Sequence, residues 1–259
     1  LPIVKIKKHI PGLIAGLTAQ GIHRAKRAIM TTDTFAKEIT AHFSIGNHKV
    51  GICGIAKGAG MIAPDLATML CFIFTDARIS QSALGKALRT AVDNSFNCVT
   101  VDGCMSTNDS VMFLANGAGG NKLIEGGASF HSFARALHLV CLELAKMVAK
   151  DAEGASKFIE IKVQGAGNFS DAKKAALAIA NSNLFKCAVY GENPNFGRIA
   201  ASLGASGICL KEKDLKIRVG SLRKKEVIVE VSVGSGKAGA TVYTSDLTPE
   251  YVRINAEYT

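Results

Sequence analysis

The sequence predicts a mixed α/β fold in which sheets pack against helices, and three observations carry that expectation. Ile39, Ala41, Phe43 and Ile45 alternate with Thr40, His42 and Ser44, the two-residue period of a half-buried strand. Phe133, Leu137, Val140, Leu144 and Val148 form one broad apolar stripe at helical spacing, over about 129 to 150. Beyond residue 157, strand-like and helix-like runs alternate instead of segregating, which favours mixed sheets over an all-β or all-α arrangement.

Taken in order, residues 2 to 28 read as two helices, the first bent or ended near Pro11 and Gly12, before the polar segment Thr31 to Thr34 breaks the pattern. The alternating strand then reaches Gly46 and Asn47, a tight-turn pair, and returns through Val50 and Ile52. The loop KGAGMIAPDLA, with two glycines and a proline, leads to Thr68 at the head of the strand-like run TMLCFIF. A helix is expected from about Ser80 to Phe96, where Leu84, Ala87, Leu88, Ala91 and Val92 recur at helical spacing, with short strands near Val99 and Val111. Gly154 helps end the long helix. FIEIKV then reads as a strand, DAKKAALAIANS as a helix, KCAVY as a strand and FGRIAASLG as a helix, before three strands near 217, 229 and 242. No fixed-period repeat or low-complexity tract interrupts this order.

The chain has 259 residues, of which 48% are apolar and 20% charged, the composition of an ordinary folded protein. Its apolar runs stop well short of the roughly 20 residues of a membrane-spanning helix. The opening LPIVKIKKHIPG lacks the unbroken apolar stretch and small-residue site of a secretory signal. Because it begins with Leu1 in a helical pattern, we expect further sequence upstream. Seven cysteines, at 53, 71, 98, 104, 141, 187 and 209, form no two-residue-spaced pair and fit a reducing compartment better than a disulfide framework. The expected location is therefore cytoplasmic, or an organelle matrix in a eukaryote.

The net charge of +10 raises nucleic acid as a partner. The basic clusters at Lys5 to Lys8, Lys211 to Lys216 and Arg223 to Lys225 are separated and poor in neighbouring aromatics, so a solvated surface is favoured and neither nucleic acid nor membrane is expected. NGAGGNK at 116 to 122 lacks the lysine-then-hydroxyl ending of a nucleotide-binding loop and reads as a turn. His131 and His138 lie seven apart on one helix, whereas paired metal ligands favour three or four, and no metal site is expected. Asp76 and Asp109 read as organisers of turns or caps.

Thr68 on local grounds is a β-branched residue opening a strand. A sharper reading has its hydroxyl attack the Ala67 carbonyl, turning the peptide bond into an ester that water opens. Thr68 would then carry a free α-amine, with a pKa of roughly 7.7 to 8.0, able to take the proton of its own hydroxyl. The residues that favour this reading are AIMTTDT at 28 to 34, KGAGMIAP at 57 to 64, ATML and FTD within 67 to 76, STND at 106 to 109, DAEGASKF at 151 to 158, NPNFGRI at 193 to 199 and YVRINAEYT at 251 to 259. Together, and in this order, they resemble the ornithine acetyltransferase (glutamate N-acetyltransferase) family from the first helix to the C-terminus.

The resemblance implies the DmpA/ArgJ-like α/β fold of self-processing enzymes with an N-terminal threonine nucleophile. Residues 1–67 would be the C-terminal part of an α segment, and residues 68–259 a β segment that starts at the nucleophile. It implies that N-acetylornithine acetylates Thr68, that glutamate then takes the acetyl group, and that acetyl-CoA serves as donor in bifunctional members. No cofactor is implied. Thr31, Lys57, Glu153 and Asn255 match substrate-binding positions beside Thr68: Lys57 suits an α-carboxylate, Glu153 an ammonium group, and Thr31 and Asn255 orienting hydrogen bonds. The implied assembly is a heterotetramer of α and β fragments. The family's oxyanion contacts come from a Thr-Gly pair upstream of Leu1, so residues 1–259 alone are not expected to be active. A further hydroxyl-bearing family position lies past Thr259, and Cys104, Met105, Ala152 and Phe196 depart from the commoner choices at positions with no assigned catalytic role. Two other readings remain: a self-processing N-terminal-nucleophile aminopeptidase or amidohydrolase, in which water is the acceptor, and a basic nucleic-acid-binding module.

Overall fold

The computed structural model describes residues 2–18, 20–63 and 69–257. Ala67 and Thr68 lie outside the described residues, as does the segment 64–66 before them. The first sheet has the order β1-β2-β3-β4, from β1 (Lys37–Ile45), β2 (His48–Lys57), β3 (Leu70–Thr75) and β4 (Ser110–Ala115). Its first two strands form the expected hairpin, closed at Gly46, whose φ of 58° is open to glycine and costly for most residues. β3 runs antiparallel to β2, with Lys57 opposite Leu70, and β4 lies parallel to β3.

The second sheet, in the order β6-β7-β5-β8, contains β5 (Phe158–Ala166), β6 (Lys216–Val219), β7 (Glu226–Ser232) and β8 (Ala238–Ser245). It too is mixed, with β5 parallel to β7 and antiparallel to β8. Before these strands come α1 (Ile3–Ala15), α2 (Ile22–Ala28), α3 (Gln81–Asp93) and α4 (Gly127–Lys150). All five residues of the α4 stripe are buried, and they fill a core shared with Val50, Ile52 and Ile73 of the first sheet. Burying such a stripe is the main source of helix stability in a protein of this size. A second core joins Ile159, Ile161 and Val163 of β5 to Ala172, Ala176 and Ile179 of α5 (Phe169–Ala180).

The two helices expected over residues 2 to 28 are present as α1 and α2, and the first does not end at Pro11 but continues to Ala15. Two further expectations need correction. KCAVY belongs to a helix, α6 (Asn183–Tyr190), whose Ser182 hydroxyl accepts the Phe185 amide. Phe185, Lys186, Ala188 and Val189 are buried on one face, so capping and four-residue burial override the strand preference of a short run. Val99 makes a single bridge to Tyr243 after a 3₁₀ turn at Phe96–Cys98, and forms no strand. FGRIAASLG falls in α7 (Phe196–Ala205) as expected, and the chain then ends in a helix, α8 (Pro249–Ala256), that the periodicity alone does not announce. Among the described residues, no helix is long and apolar enough to cross a membrane.

Candidate active site

Four of the predicted binding residues come from four distant segments. Thr31 follows α2, Lys57 ends β2, Glu153 follows α4 and Asn255 lies on α8. Glu153 is the hub. Its Oε1 accepts the Thr32 hydroxyl at 2.8 Å, its Oε2 accepts the Asn255 amide at 3.2 Å, and its backbone N–H donates to the Ala59 carbonyl at 2.9 Å. Gly60 packs against the carboxylate so closely that a Cβ there would sit 2.3 Å from Glu153 Oε2. The glycine is therefore required by contact with the site.

Thr31 itself is exposed, and its backbone N–H donates to Asp33 Oδ2 at 3.0 Å; it is the neighbouring Thr32 whose hydroxyl reaches Glu153. Asp33 Oδ1 also accepts the Gly58 N–H at 2.7 Å, which ties the threonine loop to the end of β2. The Lys57 side chain is largely buried, and among the described residues its ammonium has no hydrogen-bond or ion-pair partner. A cation in that condition is disposed to receive an anion.

The loop between β2 and β3 is held from the other side by Asp102. Its Oδ2 accepts the Met61 N–H at 2.7 Å, its Oδ1 the Ile62 N–H at 3.2 Å, and Tyr251 of α8 donates its hydroxyl to Oδ2 at 3.3 Å. Met61 has a φ of 53°, a conformation that costs a side-chain-bearing residue energy and persists where its surroundings impose it. Burial, then the Asp102 charge and the hydrogen bond to it, push the Tyr251 phenol up to about 12. Tyr251 is thus a neutral donor at ordinary pH.

Asp109, at the entry to β4, accepts the Met69 N–H at 2.5 Å and so pins the start of β3, the organising role expected of it. Its Oδ2 is buried without a hydrogen-bond partner among the described residues. Burial holds this carboxyl above its ordinary range, partly offset by the Met69 amide and the charge of Lys57. Asp76 likewise accepts the Gly51 N–H at 2.8 Å. Among the described residues, no group of three or more histidines, cysteines and carboxylates is placed to hold a metal ion.

Beneath the threonine loop lies an ion cluster that sequence reading missed. Lys37 Nζ is 2.6 Å from Asp33 Oδ1 and 2.5 Å from Asp151 Oδ2, with all three side chains at most 2% exposed. Burial would raise the Asp33 carboxyl, but the Gly58 amide, Lys37 and the Thr31 amide outweigh it and hold the group below its usual range. No local pattern announces this cluster, because Lys37 and Asp151 are 114 residues apart.

A mixed two-sheet fold defines the protein as an α/β enzyme, and among the described residues it carries a largely buried Lys57 ammonium with no hydrogen-bond or ion-pair partner and a Glu153 carboxylate held by Thr32 and Asn255. The ArgJ family matches residues 1–259 in full, and the chain belongs to that family. The "Arginine biosynthesis bifunctional protein ArgJ" of Geobacter sulfurreducens is 45% identical over 280 residues, covering 100% of this chain and 71% of that protein. The protein of the same name from Symbiobacterium thermophilum is 45% identical over 279 residues, covering 100% of this chain and 69% of its own length. The crystal structure of arginine biosynthesis bifunctional protein argJ from Bacillus halodurans superposes with a TM-score of 0.69 at 35% identity, covering 72% of this chain and 98% of that one.

Proposed function

We propose that the protein transfers an acetyl group from N-acetylornithine to glutamate in arginine biosynthesis, through an ester on Thr68. The observation that carries this reading is the arrangement of Lys57 and Glu153: a buried ammonium lacking a partner among the described residues, and a carboxylate fixed by Thr32 and Asn255. An amino acid offers the complementary pair of charges. Lys57 would take its α-carboxylate and Glu153 the ammonium group, which keeps the reacting amine or amide close to the ester-forming oxygen.

Self-processing comes first. The Thr68 hydroxyl attacks the Ala67 carbonyl, the peptide C–N bond breaks as the C–O ester forms, and water opens the ester to leave Thr68 as a new N-terminus. Its freed amine then takes the hydroxyl proton while the oxygen attacks the acetyl carbonyl of N-acetylornithine. Ornithine leaves with the transferred proton, and the glutamate amine attacks the ester to release N-acetylglutamate and restore the hydroxyl. Each half passes through a tetrahedral oxyanion, whose stabilisation is usually a large part of catalysis. Acetyl-CoA would load the same oxygen as a second donor, giving N-acetylglutamate without ornithine turnover. Residues 68–259 would make up about three-quarters of the chain. The α and β fragments would remain together as a heterotetramer, in the cytoplasm or an organelle matrix, where cysteine thiols stay reduced.

The test is the mass of the complete precursor and of Thr68→Ala. The expected outcome is two fragments from the former and an intact chain from the latter. Incubation with N-acetylornithine, with and without glutamate, then reads the acceptor. Release of ornithine that ignores glutamate would mean that water is the acceptor, and a folded precursor that stays whole would reject the mechanism.

A further inference from the structure

We infer that Lys37 is a positioning residue for substrate binding: through Asp33 and Asp151 it holds the segments that carry Thr31, Lys57 and Glu153 in one fixed relation. The inference rests on the function proposed above. Lys37 is fully buried, its Nζ sits between the two carboxylates, and it lies 5.0 Å from the centroid of the Phe35 ring. A buried ion cluster is a poor way to gain stability, since apolar side chains of similar volume often serve as well or better. The charges therefore call for another explanation, and it lies in what the two carboxylates do with their remaining lone pairs.

Asp33 accepts the Thr31 N–H with one oxygen and the Gly58 N–H with the other, so a single carboxylate joins the threonine loop to the residue after Lys57. Asp151 accepts the Thr34 N–H at both oxygens, at 3.1 and 3.2 Å, and also takes the Thr34 hydroxyl. Two residues further on stands Glu153, itself bonded to Thr32. Without Lys37, two carboxylates would face each other in a site closed to water. One would take up a proton or turn away, and the amides it holds would move with it. Another buried lysine shows that burial alone does not create this link. Lys186 donates to the Val101 carbonyl and the Thr244 hydroxyl, and among the described residues it bonds to none of Thr31, Lys57, Glu153 and Asn255.

Two acetyl donors separate positioning from general damage. N-acetylornithine requires the binding groups, whereas 4-nitrophenyl acetate lacks both charges and needs only the nucleophile. For Lys37→Met, the KM for N-acetylornithine is expected to rise roughly tenfold or more, while acetylation of Thr68 by 4-nitrophenyl acetate, read by mass, stays within about threefold of the wild type. If circular dichroism shows that this variant does not fold, Asp151→Asn, which keeps the shape of the side chain, carries the same comparison and the same expected split. Equal losses with both donors, or an unchanged KM in a folded variant, would overturn the inference. A wild-type enzyme that neither donor acetylates would instead reject the proposed function. Calorimetric binding of N-acetylornithine then decides about Lys37: weaker binding in the variant supports positioning, and equal binding overturns it.

Discussion

The Thr32 hydroxyl donates to Glu153 Oε1 at 2.8 Å across a separation of 121 residues, while the other oxygen of the same carboxylate receives Asn255 from the C-terminal helix. Both oxygens of Glu153 are thus occupied by neutral donors, which orient the group, and among the described residues no cation pairs with it. On the function proposed above, that is the condition in which a carboxylate attracts a substrate ammonium group, and the charge, more than the shape, would be what binding uses.

Glu153→Gln tests this directly, because the amide keeps the size of the side chain and can keep the bond to Thr32. The KM for the amino-acid substrates should rise roughly tenfold, equivalent to about 1.4 kcal/mol. Thermal stability should change little, since Glu153 is only half-buried. Steady-state kinetics beside a melting curve provide the check, and an unchanged KM would remove Glu153 from substrate binding.

Tyr251 offers a spectroscopic reading of the loop anchor. Its phenol is pushed up to about 12 by burial first and by Asp102 second. Replacing Asp102 with Asn removes the charge and leaves the burial, so the phenol should titrate at lower pH without returning fully to its ordinary value. Ultraviolet titration of Asp102→Asn follows this, with Tyr251→Phe identifying the signal. The same substitution weakens the hold on the exposed Met61 amide, and about 0.5–1.5 kcal/mol of stability should be lost with that bond.

Much of the fold is legible in local pattern, for reasons visible in particular elements. The β1–β2 hairpin declares itself because one of its faces is wet, which forces strict alternation, and because Gly46 must occupy the turn. α4 is legible because its buried stripe runs through the whole helix. α6 is not, since eight residues hold barely two turns and its apolar run suits a strand equally well. The site divides in the same way. Thr31, Lys57, Glu153 and Asn255 come from the family resemblance, and no spacing rule would select them. Asp33, Lys37 and Asp151 escape because a buried lysine looks like any other lysine until its partners are brought together in space.

Lys186 should leave its mark on the pH dependence of stability. Burial lowers its ammonium from 10.5 to about 8, partly offset by Asp102 and Asp246. Between those two values the unfolded chain binds a proton that the folded chain does not, so stability rises with pH over that window. Below about pH 8 the cost of the buried charge is fully present. Urea unfolding across this range should show wild type gaining up to about 3 kcal/mol relative to Lys186→Met. A constant difference between the two proteins would mean that Lys186 does not titrate there.

Gly154 joins stability to the site, and two substitutions separate its two demands. Its φ of 65° disfavours most side chains, and a Cβ would lie 2.3 Å from the Tyr251 nitrogen and 2.7 Å from the Glu250 carbonyl carbon, both backbone atoms in the first turn of α8. The Thr248 hydroxyl donates to the Gly154 carbonyl at 2.5 Å and accepts the Tyr251 N–H, so the cap of α8 is built directly on this glycine. Gly154→Ala should therefore cost about 1–3 kcal/mol, from strain and displacement together. Gly154→Asn relieves part of the strain, because Asn tolerates the left-handed region, but it keeps the Cβ. If close contact dominates, both variants should lose similar stability, and both should raise the KM as Asn255 is drawn away from Glu153. If Asn restores the melting temperature and the KM, the conformation of the glycine matters and its contact with α8 does not.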